Sequence, residues 1–404
     1  MISDEALDAL MQPIIDRQED INTYVIETIA KRIKEIGIMS PANIKKLQLL
    51  VEMGADIRLI NAELAKVTEL NVRDIKAMIK TIAVDAYLDA RPFYDYRHKS
   101  FIPFVENQKL QKIVTAVGNV TADTYRNISN SKALGFMIQD PKHPNQLKFQ
   151  SIKDTYQNAI DRAIQAVKTG TMDYNTAIRK TVNQLAASGV RRLYWDSGYT
   201  QRLDTAVRRN ILDGVKAINM QIQEEIGKQI NADGVELSAH INSAPDHEPF
   251  QGHIFAKEEF AKLQSGSSFQ DVNGVGFGGV ERAIGMWNCR HFTRWIIIDA
   301  HTPKYTARQL KKMIRDNAKG YTLSNGKHLT MYECTQRQRQ LETLIRYAKE
   351  SQTAFRASGD RQEAKRYQAK INRYLEDYKL FSKNCGLKTD MNRIKVNAYR
   401  RINV

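Results

Sequence analysis

Long apolar runs are absent from this chain. No uncharged apolar stretch reaches the ~18 residues that a membrane-spanning helix needs, which argues against an integral helical membrane protein. The first residues, MISDEALDAL, carry acidic side chains where a secretion signal carries basic residues before an apolar segment. We therefore expect a soluble protein that no signal of its own exports.

Cysteine is scarce as well. The chain has 3 cysteines, Cys289, Cys334 and Cys385, among 404 residues. Because their number is odd and they lie far apart in the sequence, we do not expect a disulfide framework. The hydrophobic content of 42% is enough for folded cores, and the length suits two or three domains.

Acidic residues are depleted at one end of the chain. Residues 304–404 contain 24 Lys and Arg against 9 Asp and Glu, whereas residues 1–303 contain 37 against 36, so the C-terminal segment carries most of the net charge of +16. Such a segment is typical of contact with nucleic acid or an acidic protein surface, although a solvated helical face explains it equally well. The basic side chains expected to contact phosphates are Lys311, Lys312, Arg337, Arg339, Lys365 and Arg366.

Apolar spacing predicts helices through most of the first 230 residues. Asn71, with Asp74 three residues later, predicts the N-terminal cap of a new helix. One apolar stripe, at steps of four and three residues, consists of Val25, Ile29, Ile33 and Ile36.

The C-terminal segment predicts two further helices, at residues 333–357 and 362–381, joined by a short SGD loop. Helices with so short a connection form an antiparallel hairpin. Within the first of them, Glu342 and Arg346 are spaced for an i,i+4 ion pair.

Strand periodicity is confined to the region between these helical parts. Polar and apolar residues alternate from Val235 to Ile241, and short strands are predicted at residues 253–255 and 295–298. The fold class is therefore mainly α with a small α+β domain. We predict a helical region at 1–230, the small α+β domain at 231–303 and a basic helical tail at 304–404.

Histidines are concentrated in the predicted small domain. Cys289, His291 and His247 could supply zinc ligands, but the cysteine is single and the spacing fits no common zinc module. Side chains two residues apart also point in different directions on a strand or helix, so Cys289 is expected to be a small buried hydrophobe. We expect no cofactor. The histidines that fall within 62 residues are His240, His247, His253, His291 and His301.

Acid–base chemistry is a third interpretation of the same residues. His247 and His291 could act as proton donor and acceptor in phosphodiester cleavage, with Arg290 beside them. The alternative that the sequence favours is structural, because polar groups buried in a small domain need hydrogen-bond partners. In that case the side chains that hold the ends of short strands are His240, Asp246, His247, Gln251 and Asn288.

Two segments, SAHINSAPDHEPFQGHIF and GVGFGGVERAIGMWNCRHF, resemble the tailed-phage minor capsid protein 2 family. Members of that family tend to show a His, then Pro-x-His, then aromatic-Gln-Gly, and a glycine-rich loop that ends in Asn-Cys-Arg-His. This chain departs from the family in having Ala244 where an arginine is usual. If that arginine is catalytic in the family, its loss argues against enzymatic activity here. The pattern falls on His240, Pro245, His247, Phe250, Gln251, Gly252, Asn288, Cys289, Arg290 and His291.

The resemblance implies a structural protein of a phage head, related in kind to the phage Mu F-like head-morphogenesis proteins. Its expected place is the virion near the portal, after assembly in the host cytoplasm. Expected partners are the portal protein or the major capsid protein for the N-terminal helices, and packaged double-stranded DNA for the basic tail. The alternative is a capsid-carried nuclease or toxin-like effector that uses His247, His291 and Arg290.

Overall fold

The structure is a computed structural model that describes residues 4–39, 41–140, 142–143, 145–169, 174–286, 289–398 and 400–402. It is mainly α-helical with small antiparallel sheets, which confirms the predicted fold class, but strands also form within residues 134–202 and 321–329, where the sequence pattern did not indicate them. The helices are α1 (Asp4–Gly37), α2 (Lys46–Leu88), α3 (Arg91–Tyr96), α4 (Gln108–Ile128), α5 (Ile152–Thr169), α6 (Tyr174–Ser188), α7 (Leu203–Ile230), α8 (Lys257–Gln264), α9 (Ala307–Lys319), α10 (Met331–Ala357) and α11 (Arg361–Asn384).

The strands form four antiparallel sheets within the described residues. Their bounds are β1 (Leu134–Gln139), β2 (Leu147–Ser151), β3 (Arg191–Leu193), β4 (Thr200–Arg202), β5 (Gly234–Leu237), β6 (Ile254–Ala256), β7 (Phe269–Gln270), β8 (Gly276–Phe277), β9 (Thr293–Ile296), β10 (Tyr321–Thr322) and β11 (His328–Leu329). In order across each sheet, the strands are β2-β1-β3-β4, β6-β5-β9, β7-β8 and β10-β11.

The largest core lies between the long helices. The predicted apolar stripe of α1 is confirmed, since its four members are at most 1% exposed. Their spacing places them on one face of the helix, which packs against α2, α5 and α7. Ala354, Phe355 and Ala364 of the C-terminal hairpin belong to the same core, so the hairpin packs on the N-terminal helices.

Asn71 does not begin a helix, and this prediction was wrong. Helix α2 continues unbroken past it, and the Asn71 side chain is fully buried. Its amide nitrogen donates to the Tyr125 hydroxyl at 2.7 Å, and its oxygen accepts from Arg17 Nε at 2.5 Å. An asparagine whose polar atoms find partners on other elements is tolerated inside a helix, because it no longer competes for its own backbone.

The C-terminal hairpin of α10 and α11 forms as predicted. The expected ion pair between Glu342 and Arg346 does not form. Arg346 instead donates to Glu19 at 2.6 Å and to Asp204 at 3.0 Å, while Glu342 pairs with Arg339 at 3.3 Å. Arg346 is half-buried, and it pairs with the carboxylates that the packing of the helices places nearest to it, which belong to α1 and α7.

The three-stranded sheet builds the small region between α7 and α9. Val235 on the central strand β5 lies opposite Phe255 of β6 and Trp295 of β9. Strand β5 ends at Leu237, earlier than the sequence pattern indicated, because the chain then turns into the loop that carries His240. The apolar side chains that pack together here are Val235, Leu237, Phe250, Phe255, Phe260, Leu263, Phe269, Ile284 and Cys289.

Candidate functional site

Two loops beside the three-stranded sheet bring the histidines together. The first, residues 238–252, follows β5 and contains a turn in which the His247 amide donates to the Ala244 carbonyl at 3.0 Å. Gln251 closes this loop, because its side-chain oxygen accepts from the His240 amide at 3.0 Å. Gly252 has φ of +73°, a conformation that favours glycine. The loop is thus held by its own backbone and by Gln251.

The second loop precedes β9. Cys289 donates its amide to the Met286 carbonyl at 3.0 Å, and Phe292 is tied to Ser238 of the first loop by two hydrogen bonds of 2.9 Å. Because residues 289–292 are neither strand nor helix, Cys289 and His291 turn toward the same place, with Sγ and Nδ1 3.7 Å apart. The expectation that these two side chains point apart was therefore wrong.

Three side chains meet where the two loops touch. His247 Nδ1 lies 3.4 Å from His291 Nδ1, and the ligand-type atoms of His247, Cys289 and His291 all lie within 4.8 Å of one another. The residues are 0%, 2% and 4% exposed, respectively. The His240 ring packs on the His291 ring with 4.5 Å between centroids. We call His247, Cys289 and His291 the histidine–cysteine cluster.

The far side of each imidazole faces a fixed oxygen. His247 Nε2 lies 2.7 Å from the carbonyl oxygen of Arg282, which can only accept. His291 Nε2 lies 3.3 Å from the Gln251 oxygen. That oxygen is identified as such by the His240 amide that donates to it. Both rings are thus held with the proton on Nε2.

The pKa values within the cluster differ strongly. Burial, together with the neighbouring His240 and His247 rings, lowers the pKa of His291 to about 2, so this ring is neutral near pH 7. Burial opposes ionisation of the Cys289 thiol, but the hydrogen bond and charge of His247 outweigh it and lower the thiol pKa. Burial also disfavours protonation of His247, yet Cys289 and the Arg282 carbonyl raise its pKa. The Cys289 thiol is therefore more acidic than an ordinary cysteine thiol.

An ion pair between Arg282 and Asp246 lies next to the cluster. Arg282 donates from Nε and Nη2 to the two oxygens of Asp246, both at 2.8 Å. This two-pronged contact joins the first loop to the glycine-rich segment before the second. Sequence reasoning did not identify Arg282, because nothing in its spacing from Asp246, 36 residues earlier, indicates a pair.

Pro245, Phe250 and Arg290 also belong to the motif, but they are not members of the histidine–cysteine cluster. Pro245 is exposed in the turn before His247, and Phe250 is buried against Phe269 with centroids 5.4 Å apart. Arg290 is half-buried. Asn288 lies outside the described residues.

The other two histidines of the region lie apart from the cluster. His253 pairs with Asp271 at 2.7 Å, and His301 lies 3.1 Å from the fully buried Glu236. The structure therefore divides the five histidines into three neighbours and two carboxylate-bound rings.

Burial decides what the histidine–cysteine cluster can do chemically. A phosphodiester must touch the proton donor and acceptor within hydrogen-bond reach, and the rings of His247 and His291 are almost completely covered. The arrangement is suited to holding loops together or to binding a small ion. Nucleic acid would reach it only after the loops opened.

The predicted phosphate-binding residues are spread over three helices. Lys311 and Lys312 of α9, Arg337 of α10, and Lys365 and Arg366 of α11 are exposed. Lys312 pairs with Asp316, and Arg366 lies 3.4 Å from Glu363. Arg339 is half-buried and bound to Glu342. Lys311, Arg337 and Lys365 are therefore the best placed for an external anion.

The chain belongs to the phage minor capsid protein 2 family, whose defining sequence pattern matches residues 2–381. The match confirms the resemblance, and it makes this protein a structural protein of the phage head that is located in the virion. No curated protein and no solved structure matches the chain significantly. Among the described residues, none of the helices combines the length and apolar character that crossing a bilayer requires.

Proposed function

We propose that this minor capsid protein lies near the portal of the phage head, with protein contacts through its N-terminal helices and DNA contacts through its basic tail. The portal protein or the major capsid protein is the partner of residues 1–230, which the protein meets in the host cytoplasm during assembly. Family membership supports a head protein. The finer placement rests on the exposed apolar side chains of α2 and on the positive charge of residues 304–404.

An exposed apolar face on α2 supports a protein contact. Leu47, Val51 and Leu59 are 77%, 65% and 58% exposed, although the same helix buries Leu49, Met53 and Ile60 on its other side. Leu47 and Val51 lie one turn apart on the same side of the helix, and neighbouring apolar side chains exposed to water favour a protein contact. The exposed apolar side chains of α2 are the main observation that supports a protein contact of residues 1–230.

The charge of residues 304–404 supports the DNA contact. These residues carry a net charge of +15, with Lys311, Arg337 and Lys365 exposed on three helices. Exposed lysine and arginine side chains bind phosphates without reading the base sequence, so they suit contact with packaged DNA of any sequence.

Quantitative mass spectrometry of purified particles tests the placement. We expect a few copies of the chain per particle, at a constant ratio to the portal protein. A variant with Leu47, Val51 and Leu59 replaced by serine should be incorporated several-fold less, because it lacks the apolar contact. The matched control replaces Ile241, Val275 and Leu380, which are exposed but lie beyond residue 230.

Circular dichroism should first show that both triple variants keep the helical content of the wild-type protein. Equal incorporation of the α2 variant and the control would contradict the proposed contact surface. A copy number that follows the major capsid protein would contradict a position at the portal.

A further inference from the structure

We propose that the histidine–cysteine cluster is a zinc site, with His247 Nδ1, His291 Nδ1 and Cys289 Sγ as protein ligands. This site is independent of the proposed portal and DNA contacts. It would join the loop that follows β5 to the loop that precedes β9.

The hydrogen bonds on the outer side of the rings favour a cation between them. His247 Nε2 must donate to the Arg282 carbonyl, and His291 Nε2 must donate to the Gln251 oxygen. In the neutral rings both Nδ1 atoms then carry lone pairs, and these face each other at 3.4 Å beside a sulfur atom. Such an arrangement is repulsive unless a proton or a metal ion lies between the three atoms.

Two of the three distances between the ligand atoms match those of a tetrahedral zinc site. With Zn–N near 2.05 Å and Zn–S near 2.3 Å, two nitrogen ligands lie about 3.3 Å apart, and nitrogen and sulfur lie about 3.6 Å apart. The corresponding distances here are 3.4 Å between the two Nδ1 atoms and 3.7 Å between His291 Nδ1 and Cys289 Sγ. Zinc therefore fits without rearrangement of these pairs.

The chemistry of the ligands selects the metal. One thiolate and two imidazoles suit zinc, whereas magnesium and calcium prefer oxygen ligands. Zinc-bound histidines usually donate their other ring proton to a carbonyl or carboxylate, which orients the ring and increases its basicity. The Arg282 carbonyl and the Gln251 oxygen have this role here, and the Arg282–Asp246 pair fixes the loop that supplies one of them.

The site is structural rather than hydrolytic. Three protein ligands leave one position of a tetrahedral ion for water, but all three side chains are at most 4% exposed. A substrate does not reach an ion at such a depth. The ion would instead stabilise two loops whose own hydrogen bonds are few, because zinc binding adds directly to the free energy of folding.

Metal content of the full-length protein is the first measurement. We expect elemental analysis of protein purified without added chelator to give about one zinc per chain, and removal of the zinc by a chelator to lower Tm. Cys289→Ser should lose the zinc, whereas Cys334→Ser and Cys385→Ser should retain it, because those buried cysteines lie outside the cluster. His301→Ala is the matched histidine control, since His301 is bound to Glu236.

Cobalt substitution keeps the test valid if Cys289→Ser fails to fold. Cobalt(II) in the wild-type protein should give the visible bands of a tetrahedral site and a thiolate charge-transfer band, and Cys334→Ser should give the same spectrum. Wild-type protein that is folded without metal and whose Tm is unaffected by zinc or chelator would overturn the proposal. Zinc retained by folded Cys289→Ser, or stoichiometric iron or copper in place of zinc, would also overturn it.

Discussion

Gly252 shows how one residue fixes the geometry of the cluster loop. A Cβ atom at this position would lie 2.5 Å from Leu310 Cδ2 and 3.0 Å from the Ala239 Cβ, and its φ of +73° is strained for any other residue. Because residue 252 is a glycine, the chain can pass close to α9 directly after Gln251. The side-chain oxygen of Gln251 in turn orients the His291 ring. A side chain at position 252 of this chain is thus opposed for steric reasons.

Gly252→Ala should therefore destabilise the protein by about 2–3 kcal/mol, because the left-handed conformation and the contact with Leu310 both oppose the methyl group. Chemical unfolding measures this change. Gly198→Ala is the control, since Gly198 has φ of +66° but no atom within 4 Å of its would-be Cβ. We expect that control to cost about 1 kcal/mol, from conformation alone. Equal losses in the two variants would show that packing at position 252 is unimportant.

At the scale of elements, a buried group of charges joins α1, α7 and α10. Arg346 donates to Glu19 and Asp204, and Arg202 lies 2.8 Å from Glu350. Burial raises the pKa of Glu19 from 4.5 to about 7; Arg346 acts in the opposite direction, while Asp204 and Glu350 add to the increase. We therefore expect the Glu19 carboxyl group, at the contact of α1 with α10, to titrate near neutral pH.

A carboxyl group whose pKa is higher in the folded protein binds its proton more tightly there than in the unfolded chain. The stability that Glu19 contributes by being protonated is fully present below pH 4.5 and is lost as pH rises through about 7. We expect Glu19→Gln to remove this loss, which is on the order of 3 kcal/mol. Urea unfolding between pH 5 and pH 8 measures it for the wild type and the variant.

The exposed Glu63→Gln of α2 serves as the control for the loss of a carboxyl group. It should leave the wild-type pH dependence unchanged. If Glu19→Gln followed the wild-type curve throughout this range, the buried carboxyl group would not be the source of the pH dependence.

At the scale of the whole molecule, local periodicity predicted the fold class but not the contacts between distant elements. The stripe of α1 and the C-terminal hairpin were predictable because helices repeat their apolar positions at fixed steps. The burial of Asn71 beside Tyr125 was not predictable, since it depends on the packing of α2 against α4. Cap patterns report local preference, and tertiary hydrogen bonds override it.

The residues of the candidate site could be predicted from the sequence, but their arrangement in space could not. The motif resemblance identified His247, Cys289 and His291, but the turn at Cys289 that brings sulfur and imidazole together has no sequence signature. The Arg282–Asp246 pair was likewise invisible in the sequence. The division at residues 230 and 303 stays a prediction, and the sharing of one core by α1 and α10 suggests that the tail is carried on the N-terminal helices.

Because the positive charge is concentrated in residues 304–404, DNA binding by the protein should depend on salt concentration. We expect the full-length protein to bind double-stranded DNA fragments of unrelated sequence with similar affinity, and this affinity should fall steeply between ~50 and ~200 mM salt. Replacing Lys311, Arg337 and Lys365 by alanine should reduce the slope of log K against log salt by about 2–3, since each lost phosphate contact removes about 0.9. Fluorescence anisotropy titrations at several salt concentrations measure this slope.

The matched control replaces Lys31, Lys66 and Lys228, which are at least 61% exposed but lie outside the basic tail. Both triple variants lose the same net charge, so only a contact made by the tail itself distinguishes them. The control should keep a slope close to that of the wild type. Wild-type binding that is insensitive to salt, or equal reductions of the slope in both variants, would show that the tail does not bind DNA and that its charge serves an acidic protein surface or solvation instead.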